Sequence, residues 1–170
     1  MKPGAAREET PRGAAPASRR EKGAALVEFG LVLPLLLLIL LGTIEFGLLL
    51  YNRQVLTNAA REGARFGIVA ATPRVPAADI RDQVSAYCSD FLVSFAQPVP
   101  TPATTVTALD DETGAEITIG TAQFGDDLRV IVQYPYRFLV FPALADLLPG
   151  ADPVFPGVLT IASEAVMKYE

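Results

Sequence analysis

The carboxylate of Glu28 lies about one helical turn inside an apolar segment that runs from Gly23 to Tyr51. An acid placed at the start of such a segment is costly unless another group binds it. Basic residues, the last of them Lys22, come before Gly23, and the aromatic Phe29 follows the acid. We therefore expect Glu28 to have a partner and this segment to carry the function.

The rest of the chain offers little further chemistry. It has no histidine, which removes the commonest acid–base catalyst and metal ligand, and its single cysteine, Cys88, excludes an intramolecular disulfide. The acids Asp110, Asp111 and Glu112 could bind a hard cation, but their spacing does not follow a calcium loop. Serine–histidine–aspartate sets, glycine-rich nucleotide loops and basic patches with interleaved aromatic residues are also missing, so we expect no enzyme, no cofactor and no nucleic-acid partner.

The apolar segment is long enough to cross a bilayer. Residues 29–50 contain one charge, Glu45, and at about 1.5 Å per residue they span roughly 33 Å as a helix. A signal peptide would have a shorter apolar stretch, and a fully buried soluble helix would need more surrounding chain than is available. We predict a single transmembrane helix over 24–51, with Glu28 and Glu45 near the two interfaces and no special role for Glu45.

Charge predicts the orientation of this helix. Residues 1–23, which read as a disordered leader, carry six basic and three acidic side chains, whereas the whole chain has a net charge of −5. Basic flanks are retained in the cytoplasm. The N-terminus is therefore expected inside and the remainder outside, although three arginines also follow the span: Arg53, Arg61 and Arg65.

Beyond the span the helical pattern becomes amphipathic over 52–72 and ends at Thr72-Pro73. Ala59, Gly63 and Gly67 repeat at four-residue spacing on this part, and small residues at that spacing allow another backbone to approach closely. That neighbour could be the chain's own outer domain or another subunit, and both contacts could hold along one helix.

Residues 73–170 are predicted to form an extracytoplasmic domain. A second amphipathic helix is expected over Pro76–Phe95, with Cys88 on its buried stripe, and a proline-rich connector follows it. Strands are then expected over four ranges, with a long excursion, Phe138–Pro156, before the last: Thr104–Leu109, Ala115–Thr121, Leu128–Tyr136 and Val158–Met167. The predicted fold class is α+β, with a long N-terminal helix packed on a small antiparallel sheet.

The residues that follow the leader resemble the prepilin signal of Flp-type type IVb pilins, which is cut after a glycine that precedes four residues and a Glu-Tyr or Glu-Phe pair. Three further runs are similar to the TadE family of tight-adherence pilus assembly proteins: Ile44-Glu45-Phe46-Gly47, Asn58-Ala-Ala-Arg-Glu-Gly-Ala-Arg65 and Thr160-Ile-Ala-Ser-Glu-Ala-Val-Met-Lys168. The resemblance is dense over 23–70 and thin in the outer domain. Phe29 stands where major pilins favour tyrosine, and the chain is much longer than they are.

This resemblance implies a minor pilin or pseudopilin of the bacterial inner membrane. A prepilin peptidase would cut between Gly23 and Ala24, where glycine is expected to leave the backbone extended and accessible. Glu28 would then pair with the α-amine of a neighbouring pilin, with Phe29 as part of the same signal; the alternative is that Glu28 only lies at the headgroup level beside Lys22. Two alternatives stay open: an uncleaved envelope subunit that binds another surface protein, and an anchored hydrolase that uses Asp126 or Asp127.

Overall fold

The computed structural model describes residues 19–71, 73–95, 98–140 and 157–169, with side chains from Gly23 onward. Contacts divide the chain into two compact units, one up to Leu40 and one from Leu41. The predicted leader up to residue 18 and most of the predicted excursion, 141–156, lie outside the described residues.

Helix α1 spans Arg19–Gly67 and runs through Pro34. It begins inside the predicted leader, because arginine, glutamate and lysine at 19–22 are good helix formers. It ends at Gly67, before the predicted stop at Thr72-Pro73, and glycine is a poor helix former. The described residues of the first unit are almost all exposed, from Leu26 at 71% to Leu40 at 53%.

Helix α2 spans Ala77–Phe91 and ends four residues before its predicted end. Tertiary contact explains the difference. The side-chain amide of Asn52 donates to the carbonyl of Val93 at 2.7 Å and accepts from its N–H at 3.0 Å. Both backbone groups of Val93 are thus bonded to a side chain of α1 and not to other residues of α2. Leu92, the residue before it, already has an extended backbone.

The described strands form one antiparallel sheet in the order β2-β1-β3-β4. The strands are β1 Ala103–Leu109, β2 Glu116–Ile117, β3 Asp127–Arg137 and β4 Val158–Lys168. Three strands match their predicted ranges within a residue. The second is only two residues long, because a 3₁₀ turn, Ile119–Thr121, replaces the rest of the predicted strand.

The core of the second unit lies between the sheet and the two helices. Alternate residues of β3 from Leu128 to Tyr136 are buried, as period-two alternation requires for one covered face. Residues at spacings of three and four on α1 meet them, among them Leu56, Ala60 and Ala64. The α+β class with a long helix on a small antiparallel sheet is therefore confirmed.

Candidate functional site on the N-terminal helix

The predicted processing residues lie in the exposed first part of α1. Gly23, Ala24 and Glu28 are exposed, and Phe29 is 61% exposed. A Cβ added to Gly23 would meet no described atom within 4 Å. Among the described residues none pairs with Glu28, so its carboxylate is available to a group from outside the chain.

The backbone at Gly23 differs from the expectation. The glycine predicts an extended peptide at this point, but Gly23 is the fifth residue of α1 and is helical. The first turn of a helix lacks intrahelical acceptors for its N–H groups, and terminal residues fray at little cost. Cleavage after Gly23 would therefore require the first turns of α1 to unwind.

The small residues of α1 lie against the chain's own domain. A Cβ on Gly63 would collide with a methyl group of Val84 on α2, and one on Gly67 would lie 2.6 Å from a methyl group of Ile80 and collide with Leu128 on β3. Ala59 is fully buried in the same core. Of the two neighbours left open by the sequence, the structure shows these positions packed against the chain's own second unit.

Glu45 has a structural role that the sequence did not predict: it binds the backbone that follows β3. It is 2% exposed, and its carboxylate accepts the backbone N–H groups of Leu139 and Val140, the latter at 3.0 Å. Nearby, the hydroxyl of Tyr136 donates to the backbone carbonyl of Glu45 at 3.4 Å. The expectation that Glu45 needs no role was wrong, because the sequence could not show that its face of the helix meets the end of β3.

Asn52 is the second buried polar group on this face. It is fully buried seven residues after Glu45, and its amide holds Val93 as described above. Seven residues are close to two helical turns, so the two side chains share one stripe with Ala59. Polar residues on an otherwise apolar stripe are the signal by which sequence reasoning could have found both.

The acids that the sequence offered for cation binding, at 110–112, and for hydrolysis, at 126–127, lie at the end of the sheet where β1 ends and β3 begins. One oxygen of Asp110 accepts from the N–H of Glu112 and from the N–H and hydroxyl of Thr113, and these bonds, that of the hydroxyl first, lower the pKa of Asp110. Asp126 is 8% exposed, and its two oxygens accept the backbone N–H groups of Asp111 and Gln123. These acids stabilise turns.

A lysine on the last strand neutralises part of this end. The ammonium of Lys168 contacts the carboxylate of Asp111 and lies 3.7 Å from that of Asp127. The bond to Asp111 is the main reason why the pKa of Lys168 is raised. In the described part of the chain no three His, Cys, Asp or Glu residues group in a way that could hold a metal ion.

Cys88 is buried on α2, as its place on the apolar stripe predicted. Burial raises the pKa of its thiol to about 11. A thiol that ionises only at such a pH is a packing residue in neutral solution, since the thiolate is the reactive form.

The described residues contain one helix long and apolar enough to cross a membrane, near the N-terminus, within Gly23–Gly67. No curated protein and no solved structure matches the chain. Residues 23–65 match a family described as TadE-like protein. The match lies on the helix that carries Glu28, Glu45, Asn52 and Gly63, and it fits a protein associated with tight-adherence pili. The predicted resemblance is thereby confirmed, and residues 23–65 of the N-terminal helix are similar to the TadE-like family.

Proposed function

We propose that the chain is a membrane-anchored minor pilin or pseudopilin of an Flp-type tight-adherence pilus. Its N-terminus would lie in the cytoplasm, and residues 73–170 would form a domain outside. The observation that carries the proposal is the exposed apolar start of α1 with one unpaired carboxylate, Glu28, inside the TadE-like match. As a pilus subunit, the protein would act by assembly and not by catalysis.

Processing would create the partner of Glu28. Removal of residues 1–23 by a prepilin peptidase would leave the α-ammonium of Ala24 as the new N-terminus. In a bundle of helices an unpaired carboxylate is expensive, whereas a carboxylate paired with the ammonium of a neighbouring subunit fixes the register between the two. We expect Phe29 to contribute to recognition of the same segment by the peptidase.

Substitution of Gly23 tests the processing step. Gly23→Val meets no described atom, so it should leave the folded domain intact and block cleavage through a clash in the peptidase alone. Gly30→Val is the matched control, because Gly30 is also an exposed glycine of α1 with open space around it. The proposal expects that, in a host with the pilus machinery, Gly23→Val retains the full mass while Gly30→Val is shortened like the wild type.

Substitution of Glu28 tests assembly separately from cleavage. We expect Glu28→Gln to reduce incorporation with the other pilins, measured by co-purification after membrane solubilisation, since the amide cannot neutralise an ammonium. Glu62→Gln is the control, because Glu62 is an acid of the same helix for which the described structure shows no ion pair. Equal co-purification of the two variants would contradict the proposed role of Glu28.

An uncleaved envelope subunit is the second candidate. It is favoured by an open groove of about 630 Å³ between the segment before α2 and strands β1 and β2, with Val106 and Ile117 in its wall and Arg74 and Glu116 beside them. Such a groove could receive another surface protein. This candidate predicts that Gly23→Val changes neither the mass nor the assembly of the protein.

A further inference from the structure

Exposed apolar side chains gather at one end of the second unit. Five of them, here called the apolar collar, are between 41% and 62% exposed: Ile44, Leu50, Leu139, Val158 and Leu159. Two sets of contacts place the three collar residues at the sheet end beside the part of α1 that carries the other two. The carboxylate of Glu45 binds the backbone of Leu139, and β4 begins beside the end of β3, where Val158 is paired with Arg137.

Chain continuity points to what covers the collar. Ile44 follows Leu40, the last residue of the exposed apolar unit, by four positions, which is about 6 Å along a helix. An apolar segment that enters a bilayer therefore brings the collar to the level of the headgroups. Tyr51, 46% exposed, ends the apolar run, and aromatic residues at the ends of such runs concentrate at membrane interfaces.

The distribution of charge agrees with this occupant. Among the described residues 41–53, 134–140 and 157–161, Glu45 is the only acid, and it is buried. The same ranges contain two exposed arginines, Arg53 and Arg137. The whole chain has a net charge of −5. The opposite end of the sheet carries acid-rich turns, at 110–112 and 126–127. An anionic headgroup layer would attract the first end and repel the second.

From these observations we infer that the apolar collar is a lipid-binding surface, by which the outer domain rests on the bilayer next to its anchor. The occupant is the headgroup and upper acyl region of a membrane that contains anionic lipid. Glu45 is a positioning residue in this arrangement, because its two backbone bonds hold Leu139 in the collar while its own charge stays out of lipid. The inference rests on the proposed membrane anchoring.

Tryptophan reporters test this inference, since the chain has none of its own. Leu139→Trp places one in the collar, and Leu159→Trp, on β4 and outside the predicted span 24–51, gives a second collar position. Phe124→Trp is the matched control, because Phe124 is 82% exposed next to the start of β3, whose 11 residues put it roughly 35 Å from the collar. Leu36→Trp, 57% exposed in the first unit, reports on the anchor itself.

The full-length variants would be reconstituted in vesicles of phosphatidylglycerol and acyl-brominated phosphatidylcholine, with unbrominated vesicles as reference. A side chain inserted about 5–10 Å below the headgroups should lose roughly half of its emission to bromine. We expect this loss for Leu36→Trp, Leu139→Trp and Leu159→Trp, and full emission for Phe124→Trp.

Other outcomes overturn the inference in distinguishable ways. Quenching of Leu36→Trp without quenching of either collar reporter would refute the collar and leave membrane anchoring intact. Blue-shifted but unquenched collar reporters would mean that protein covers the collar, from this chain or from a second copy. An unquenched Leu36→Trp would refute the anchoring as well.

Discussion

At the scale of single residues, buried polar side chains of α1 form hydrogen bonds with backbone groups elsewhere in the second unit. Glu45 and Asn52 are both within 2% of full burial, and each holds backbone atoms far away in the sequence. Removing one partner of such a bond leaves the other buried and unsatisfied, which costs about 1–3 kcal/mol. These residues are therefore expected to matter more for stability than their chemistry alone would indicate.

Replacement of Glu45 should destabilise the domain. In Glu45→Ala, the N–H groups of Leu139 and Val140 lose their acceptor, so the free energy of unfolding should fall by about 1–3 kcal/mol. Urea unfolding of the detergent-solubilised full chain measures it. Glu62→Ala on the same helix should change stability by less than about 0.5 kcal/mol. Similar losses for the two variants would mean that the bonds of Glu45 contribute nothing specific.

Replacement of Asn52 should have an effect of similar size. Asn52→Leu keeps the number and branching of the side-chain heavy atoms but leaves both backbone groups of Val93 unpaired, so the free energy of unfolding should fall by about 1–3 kcal/mol. Asn58→Leu is the control, since Asn58 forms an exposed side-chain bond with Gln54 one turn away. Amide hydrogen exchange at Val93 gives a second readout, and unchanged protection there would contradict the assigned contact.

Titration of Cys88 gives a stability prediction with a definite sign. The folded thiol has a pKa of about 11 against an ordinary 9.0, so above pH 9 the unfolded chain loses a proton that the folded chain keeps. The contribution of the Cys88 thiol to the free energy of unfolding is therefore fully present below pH 9 and is lost as the pH rises toward 11. Cys88→Ala should remove this part of the decline, and a pH profile identical to that of the wild type would refute the prediction.

At the scale of elements, the close approach of α1 to α2 and β3 depends on glycine. Gly63→Ala and Gly67→Ala would push a methyl group into Val84, Ile80 or Leu128, and overpacking of this kind costs about 1–3 kcal/mol. Gly47→Ala, on the same helix with open space around it, should be neutral or gain up to about 1 kcal/mol from helix propensity. Thermal unfolding should therefore shift in opposite directions, and a shared direction would contradict the packing.

The elements themselves were largely predictable from the sequence. Period-two alternation placed β1, β3 and β4 within a residue, and helical spacing with Pro76 placed the start of α2. What failed depended on tertiary contact. The end of α2 is set by Asn52, 41 residues away, and the role of Glu45 by backbone groups 94 and 95 residues away. No local pattern contains such distant partners.

The candidate processing residues rest on a local pattern. Gly23, Glu28 and Phe29 lie within seven residues of the sequence, so their spacing can be read without the fold, and the family match over 23–65 includes all three. The helical backbone at Gly23 was not foreseen, because the glycine alone suggested an extended peptide although good helix formers precede it. The strand order β2-β1-β3-β4 and the 3₁₀ turn that shortens β2 were not predicted either, because alternation within one strand does not identify its neighbours.

At the scale of the whole molecule, the chain combines an exposed apolar helix start with a folded domain that begins near Leu41. The two parts suit different surroundings, lipid or a helical bundle for the first and an aqueous compartment for the second. Under the proposed function, such a subunit would be held in a membrane and, after removal of residues 1–23, withdrawn into an assembly. Processing after Gly23 is therefore the central claim.

The mass of the mature protein tests that claim most directly. The full chain would be expressed in a host with an active prepilin peptidase and in a matched host with the inactive enzyme, and intact mass and N-terminal sequence would be determined for both. We predict a protein that begins at Ala24 in the first host and one that retains residues 1–23 in the second. Retention of residues 1–23 in the first host, with the pilus assembled, would contradict the account.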